Sequence, residues 1–96
     1  MRKYELMYII RPDLEEEAVQ AAVEKIKDVI TSQGGEITEH EVLGKRRLAY
    51  EIQKFWDGVY VLVHFQANTD AVSELERVIR ISDDYIRHLV IQDQAS

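Results

Sequence analysis

The order of hydrophobic periods along the chain is the feature that most constrains its fold. In some segments apolar residues alternate with polar ones, as on a strand that buries one face. In two other segments they recur every three or four residues, as on an amphipathic helix. These periods predict strands over 3–10, 37–52, 59–66 and 85–91, and helices from about 14 to 33 and from about 69 to 81. The resulting order is strand, helix, strand, strand, helix, strand.

This order predicts a ferredoxin-like β-α-β-β-α-β sandwich of the α+β class. Two right-handed β-α-β crossovers around a central hairpin place both helices on one face of a four-stranded antiparallel sheet. The chain has 96 residues and no linker or internal repeat, so we expect a single domain over residues 1–96. The second face of the sheet is then left open.

Short polar and glycine signals predict where the elements begin and end. Asp13 followed by Glu16 is a variant of the capping box, and Gly34-Gly35 is typical of the end of a helix. The long second strand contains Gly44, which indicates a bulge. Asp57-Gly58 is a turn signal, and it predicts the turn of the central hairpin.

The open face is predicted to carry apolar side chains from three strands. In the last strand, alternation directs Ile86, His88 and Val90 towards the helices. The outward positions are then Met7, Ile9, Tyr60, Leu62, Leu89 and Ile91. Aliphatic residues with a single tyrosine fit a protein partner better than stacked bases. The alternative is a one-residue slip in strand parity, which would make these residues core.

Charge is distributed unevenly along the chain. The net charge is −6, which by itself argues against a nucleic-acid partner. Residues 12–41, however, hold nine acids and only two lysines. The basic segment, residues 44–54, carries Lys45, Arg46, Arg47 and Lys54 against Glu51. It suits contacts with phosphates and a base, or it is an edge strand protected by charge against aggregation.

Residues typical of catalytic and metal sites are sparse. There is no cysteine, phosphate-binding glycine loop, His-Glu-x-x-His motif or nucleophile elbow. The three histidines fall on three different strands, and His88 is expected to be a hydrogen-bonded core residue. We therefore expect no enzyme activity, metal or cofactor. The sequence also lacks a signal peptide and the ~20-residue apolar run of a membrane span, which favours the cytoplasm.

Three stretches of the sequence carry a family resemblance. They are MRKYELMYIIRPDL at the start, GKRRLAYEI in the basic segment and LERVIRISDDYIRHLV near the end. Together they resemble the bacterial small-subunit ribosomal protein six family, in order and over nearly the whole chain. The family fold is the ferredoxin-like sandwich.

The resemblance implies a structural protein of the small ribosomal subunit. It implies binding to the central domain of 16S ribosomal RNA, beside small-subunit ribosomal protein eighteen as a heterodimer partner. Family positions fall on Arg2, on Gly44 with Arg46 to Tyr50, and on Arg87, and charge alone adds Lys54. The expected RNA contacts are therefore Arg2, Arg46, Arg47, Tyr50, Lys54 and Arg87.

The chain departs from its relatives at two positions near the basic segment. Many relatives have proline where Glu51 stands and tryptophan where Leu43 stands. Some also carry a modified glutamate-rich tail, which the ending Gln92–Ser96 does not predict here.

Two other functions remain to be distinguished. The first is a regulatory or ligand-sensing ferredoxin-like domain that self-associates through the open face without binding RNA. The second is a small phosphatase, which would need a phosphate-binding loop where this chain has Arg11-Pro12-Asp13.

Overall fold

A computed structural model describes residues 1–93 of the chain. The predicted features of the tail from residue 94 onward lie outside the described residues. The elements are β1 (Arg2–Ile10), α1 (Glu16–Ser32), β2 (Glu36–Ile52), β3 (Phe55–Ala67), α2 (Thr69–Ile81) and β4 (Tyr85–Gln92). The predicted β-α-β-β-α-β order is confirmed.

The four strands form one sheet in the order β2-β3-β1-β4, and every neighbouring pair is antiparallel. Each helix connects two strands that are not neighbours in the sheet: α1 joins β1 to β2, and α2 joins β3 to β4. Both helices contribute buried residues to one cluster with alternate residues of β1 and β3. The ferredoxin-like prediction, with both helices on one face, is thus confirmed.

The main core lies between the helices and the sheet. On β1 it takes every second residue, and Leu6, Tyr8 and Ile10 are completely buried. Ile26 of α1 and Leu75 of α2 pack against them and are also completely buried. Because α1 and α2 are amphipathic, their apolar sides face the sheet while their charged sides face solvent.

The Tyr85 hydroxyl joins β4 to α1 inside this core. It donates a hydrogen bond of 2.6 Å to the carbonyl oxygen of Ala22, and the Tyr85 ring meets Tyr8 edge to face at 5.5 Å. Burial raises the pKa of the Tyr85 hydroxyl above its ordinary value, so it remains a donor throughout the neutral range.

Replacing Tyr85 with phenylalanine should lower the free energy of unfolding by about 1 kcal/mol, the usual net value of one hydrogen bond. The loss is modest because the ring stays in place. Urea unfolding of the two proteins measures the difference. Tyr60→Phe, on the opposite face of the sheet, is the control; an equal loss there would show that the Ala22 contact is not responsible.

The start of α1 differs from the prediction. The helix begins at Glu16, its N-cap Glu15 makes no side-chain cap hydrogen bond, and the predicted capping box between Asp13 and Glu16 is wrong. The Asp13 carboxylate instead accepts two hydrogen bonds from the Arg11 guanidinium, from Nε to Oδ1 at 2.7 Å and from Nη2 to Oδ2 at 2.9 Å. A two-pronged charge-assisted pair holds the carboxylate more strongly than a backbone N–H would.

The turn of the central hairpin also differs from the prediction. Asp57-Gly58 is not the turn but part of β3, and the turn is Gln53-Lys54, flanked by the Ile52–Phe55 pair. Both turn residues have positive φ, 49° and 70°, as a two-residue hairpin turn of type I′ requires.

Gly58 is needed for close packing instead of for a turn. A Cβ atom at this position would lie 2.2 Å from Cγ2 of Ile9. Only a glycine lets β3 approach the Ile9 side chain this closely. The sequence therefore marked a position where glycine is required, but the reason is a contact with β1 and not a turn.

On β4, one side-chain direction was predicted wrongly. The pairing with β1 shifts between Ile9 and Ile10, and this irregularity turns Ile86 towards the open face. His88 faces the helices as expected, and its Nε2 lies 3.0 Å from Oε2 of Glu76 on α2. The predicted bulge in β2 is present at Gly44, where φ is +92° and the pairing with β3 shifts.

Candidate nucleic-acid interface

The far end of the β2–β3 hairpin, residues 47–56 and here called the hairpin tip, folds across the open face of the sheet. The pairing of β1 with β3 stops at Val59, whereas β2 and β3 stay paired as far as Arg47–Asp57 and, after a shift in register, pair again at Ile52–Phe55 beside the turn. The tip nevertheless reaches the other strands: Leu48 is only 4% exposed and packs on Ile9 of β1 and Ile86 of β4. This small second core fixes the tip over the sheet.

Further contacts secure the hairpin tip. Ile52 and Phe55 pack against the same second core, and the Gln53 side-chain amide donates to the carbonyl oxygen of Ile86 at 3.4 Å. A positive φ at two non-glycine residues is unfavourable by about 1 kcal/mol or more each. The apolar contacts of the tip offset this unfavourable term, because each buried aliphatic side chain contributes about 1.5–3 kcal/mol.

Folding of the tip brings together two of the predicted RNA contacts. Tyr50 on β2 and Arg87 on β4 lie on strands at opposite edges of the sheet. The Arg87 guanidinium donates a hydrogen bond to the Tyr50 hydroxyl and lies 5.6 Å from the centre of its ring. Both side chains are exposed. The result is an aromatic ring and a cation held next to each other at the surface.

The other predicted cationic contacts of the basic segment lie on the same hairpin as Tyr50. Arg46 and Arg47 are exposed, and so is Lys54 in the turn. Alternation along the strand places Arg46 on the same side as Leu48 and Arg47 on the reverse side. There the Arg47 guanidinium lies 5.9 Å from the centre of the Trp56 ring. The basic segment thus presents cations on both sides of the hairpin.

Trp56 was missed by the sequence reasoning. The chain's one tryptophan is 50% exposed, although the hairpin has two apolar clusters to pack against. It escaped notice because the turn was placed at Asp57-Gly58, which assigned residue 56 to a loop. The available signal was the aromatic pair Phe55-Trp56 directly after the basic segment.

The predicted partner face lies where parity placed it, away from the helices. Met7 pairs with Leu62 and with Leu89 across three adjacent strands, and Ile9 pairs with Tyr60. Together with the hairpin tip they enclose a groove of about 240 Å³, lined by Met7, Leu48, Tyr50, Tyr60, Arg87 and Leu89. The parity-slip alternative is wrong for these strands.

The six residues of this face differ in exposure. Leu89 and Ile91 are 51% and 49% exposed, and Met7, Tyr60 and Leu62 are half-buried. Ile9 is only 4% exposed because the tip covers it, so it supports the groove from beneath.

Acidic groups border the apolar part of the open face. Glu39 and Glu41 of β2 pair with His64 and Leu62 of β3, and both carboxylates are exposed. On β1, a carboxylate oxygen of Glu5 lies 3.4 Å from Nε2 of His64. The open face is therefore acidic at one end, apolar in the middle and basic at the hairpin tip.

Arg2 stands apart from the other predicted RNA contacts. It begins β1 and pairs with Ala67, whereas the end of β1 nearest the hairpin tip is Ile10. Arg2 and Ile10 are eight positions apart along the strand, which corresponds to about 27 Å. Arg2 is exposed, but the structure does not bring it into the cluster around Tyr50.

The described part of the chain offers little for other chemistry. The Arg11 guanidinium binds the Asp13 carboxylate and holds the pKa of Asp13 below its usual range. These two charged groups of the loop after β1 are therefore paired with each other. Within residues 1–93, no three histidine, aspartate or glutamate side chains converge to hold a metal ion. Over the same residues, no helix is long and apolar enough to cross a membrane.

Comparison with known proteins gives matches over nearly the whole chain. The family model described as ribosomal protein S6 matches residues 3–92. A small ribosomal subunit protein bS6 from Desulforamulus reducens is 52% identical over 93 residues, which are 97% of this chain and 98% of the relative. Another, from Moorella thermoacetica, is 50% identical over 98 aligned positions that span 100% of both chains.

A solved structure agrees with the fold as well as with the sequence. The crystal structure of 30S ribosomal protein S6 from Thermotoga maritima matches with a TM-score of 0.92 and 35% identity, and the match covers 96% of this chain and 87% of that one. The resemblance drawn from three stretches of sequence is confirmed. The chain belongs to the ribosomal protein S6 family, and it is a structural constituent of the small ribosomal subunit and not an enzyme.

Proposed function

We propose that this protein binds the central domain of 16S ribosomal RNA as a heterodimer with small-subunit ribosomal protein eighteen. Residues 1–96 act as one domain of the cytoplasmic ribosome, with an architectural role. Cationic side chains neutralise phosphates and release counterions, and the shape of the RNA fold supplies specificity.

The observation that carries this proposal is the convergence of Tyr50 and Arg87 at the basic hairpin tip. Two residues 37 positions apart in sequence meet through a hydrogen bond and a ring contact. Arg46, Arg47 and Lys54 add positive charge to the same end of the molecule. We assign RNA contacts to Arg46, Arg47, Tyr50, Lys54 and Arg87, and we keep Arg2 as a separate contact at the other end of β1.

The open face is assigned to the partner protein. Leu89, Ile91, Met7, Leu62 and Tyr60 supply apolar contact area, and Ile9 supports them from below. The carboxylates of Glu39 and Glu41 beside this area favour a basic partner, because complementary charge directs encounter and register. An apolar centre with a charged border is the usual organisation of a protein interface.

The charge balance makes RNA affinity depend on the partner. With a net charge of −6, the chain alone is repelled by RNA at long range, and the hairpin tip is a local region of attraction. A basic partner seated on the open face neutralises the acidic border and extends the cationic surface. The acidic side of α1 then faces away from the RNA.

The test is a titration of a central-domain fragment of 16S ribosomal RNA, with and without protein eighteen, at several salt concentrations. We expect tight binding only when the partner is present, and affinity that falls steeply as salt rises. Equal affinity with and without the partner would refute the partner dependence. Absence of RNA binding under both conditions, together with a homodimer of the free protein, would support the self-associating alternative.

A further inference from the structure

A second aromatic surface lies on the reverse side of the hairpin tip from the groove. Phe55 and Leu48 pack into the second core, whereas Trp56 and Arg47 beside them are exposed. Trp56 is 50% exposed, and the Arg47 guanidinium lies 5.9 Å from the centre of its ring. A large aromatic surface is thus left in contact with solvent.

The charges around Trp56 indicate what kind of ligand it takes. Residues 44–58 contain four cations, Lys45, Arg46, Arg47 and Lys54, and two acids, Glu51 and Asp57. This segment is therefore net positive in a chain whose net charge is −6. The apolar part of the open face is aliphatic apart from Tyr60 and has an acidic border, which fits a basic protein. An exposed indole among cations fits a ligand that combines a flat ring with negative charge.

We propose that Trp56 is a stacking site for an unpaired nucleobase of the RNA. The base stacks on the exposed indole, while Arg47 orients the ring and neutralises the adjoining phosphate. Stacking of bases on aromatic side chains is how proteins commonly engage unpaired nucleotides, and it tolerates any base because every base has a flat face. This inference rests on the proposed RNA-binding function and extends it to a residue outside the predicted site.

The fluorescence of Trp56 provides a direct test, because this chain has a single tryptophan. The complex with protein eighteen is titrated with the central-domain RNA fragment, and indole emission is followed beside an independent binding assay such as filter retention. The Trp56→Phe complex supplies the background from any tryptophan of the partner. Emission is expected to be quenched in parallel with binding.

Substitution gives a second readout. Trp56→Ala should weaken RNA affinity roughly 5- to 150-fold, which corresponds to the value of one stacked base. Its salt dependence should match that of the unaltered protein, because no charge is lost. Trp56→Phe should retain part of the affinity. Val42→Ala, which trims an apolar side chain of similar exposure (49%) on β2, is the matched control and should have no effect.

Several results would overturn the inference. If RNA binds normally while emission is unchanged and Trp56→Ala binds as the unaltered protein does, Trp56 takes no base but the proposed function stands. If the partner alone changes the emission and RNA adds nothing, Trp56 belongs to a protein interface. If the unaltered complex binds no RNA, the proposed function fails and this inference fails with it.

Discussion

Replacing Arg46 and Arg47 together with alanine is expected to lower the affinity of the heterodimer for central-domain RNA by roughly one and a half to three orders of magnitude. Charge-assisted hydrogen bonds are worth about 1.5–3 kcal/mol each, and losses at neighbouring groups are not fully additive. The two side chains lie on opposite sides of one strand, so they reach different phosphates. The slope of log affinity against log salt should also decrease by about 1.4 for two lost contacts to single-stranded RNA.

The matched control removes the same charge elsewhere. Lys25→Ala with Lys27→Ala takes two cations from α1, which packs on the face of the sheet opposite the hairpin tip. Affinity of this variant should stay within about twofold of the unaltered protein, as expected where only long-range charge has changed. Equal losses in the two variants would mean that RNA responds to net charge and not to a site at the hairpin.

Gly58→Val is expected to destabilise the protein by about 3 kcal/mol, the upper end of typical overpacking effects. The new Cβ atom would lie 2.2 Å from Ile9 Cγ2 in a buried contact, and the two further methyl groups have the nearby Ile86 Cδ1 to displace. Because Ile9 and Ile86 support Leu48, the hairpin tip should separate from the open face. Urea unfolding gives the stability, and amide exchange at residues 47–56 reports the release of the tip.

Gly44→Asn is the control for this substitution on the same hairpin. A Cβ atom at Gly44 meets nothing within 4 Å, although φ is +92°, and asparagine tolerates a left-handed backbone better than most residues. We expect a loss of about 1 kcal/mol and an intact tip. If Gly58→Val were no more harmful than Gly44→Asn, close packing against Ile9 would not be what positions the tip.

The overall architecture was predictable because hydrophobic periods report which side of each element is buried. Alternation in β1 separated Leu6 and Tyr8 from Met7 and Ile9, and the structure places the two sets on opposite faces of the sheet. Periodicity also predicted that both helices lie on one face of the sheet, since two β-α-β units around a hairpin leave one right-handed arrangement.

Contacts that depend on three dimensions were not predictable in the same way. The glycine at position 58 has the same local signal whether it forms a turn or admits Ile9 from another strand. Asp13 is a residue type that often caps helices, but here its carboxylate is bound by Arg11 instead. Local rules describe what a residue tolerates, and the tertiary neighbours decide which of those options is used.

In the candidate site, too, some features were predictable from the sequence and others depended on tertiary contacts. Its cations were identified from charge and from the family resemblance, which are properties of the sequence alone. The meeting of Tyr50 with Arg87 was not, because it requires the hairpin to curl from one edge of the sheet to the other. Period-two patterns give the face of a strand but contain no information about its curvature.

The most direct measurement uses the absence of cysteine from the chain to attach a probe at one chosen position. Glu51→Cys on the hairpin tip and Asp28→Cys on the exposed side of α1 each replace one exposed acid. Each is labelled with an iron chelate that cleaves nearby RNA, and the heterodimer is bound to the central-domain fragment. The proposed interface predicts localised cleavage from position 51 and little from position 28. Cleavage from position 28 with none from position 51 would show that RNA lies against the helices, which would contradict the assignment of the hairpin tip as the RNA-binding site.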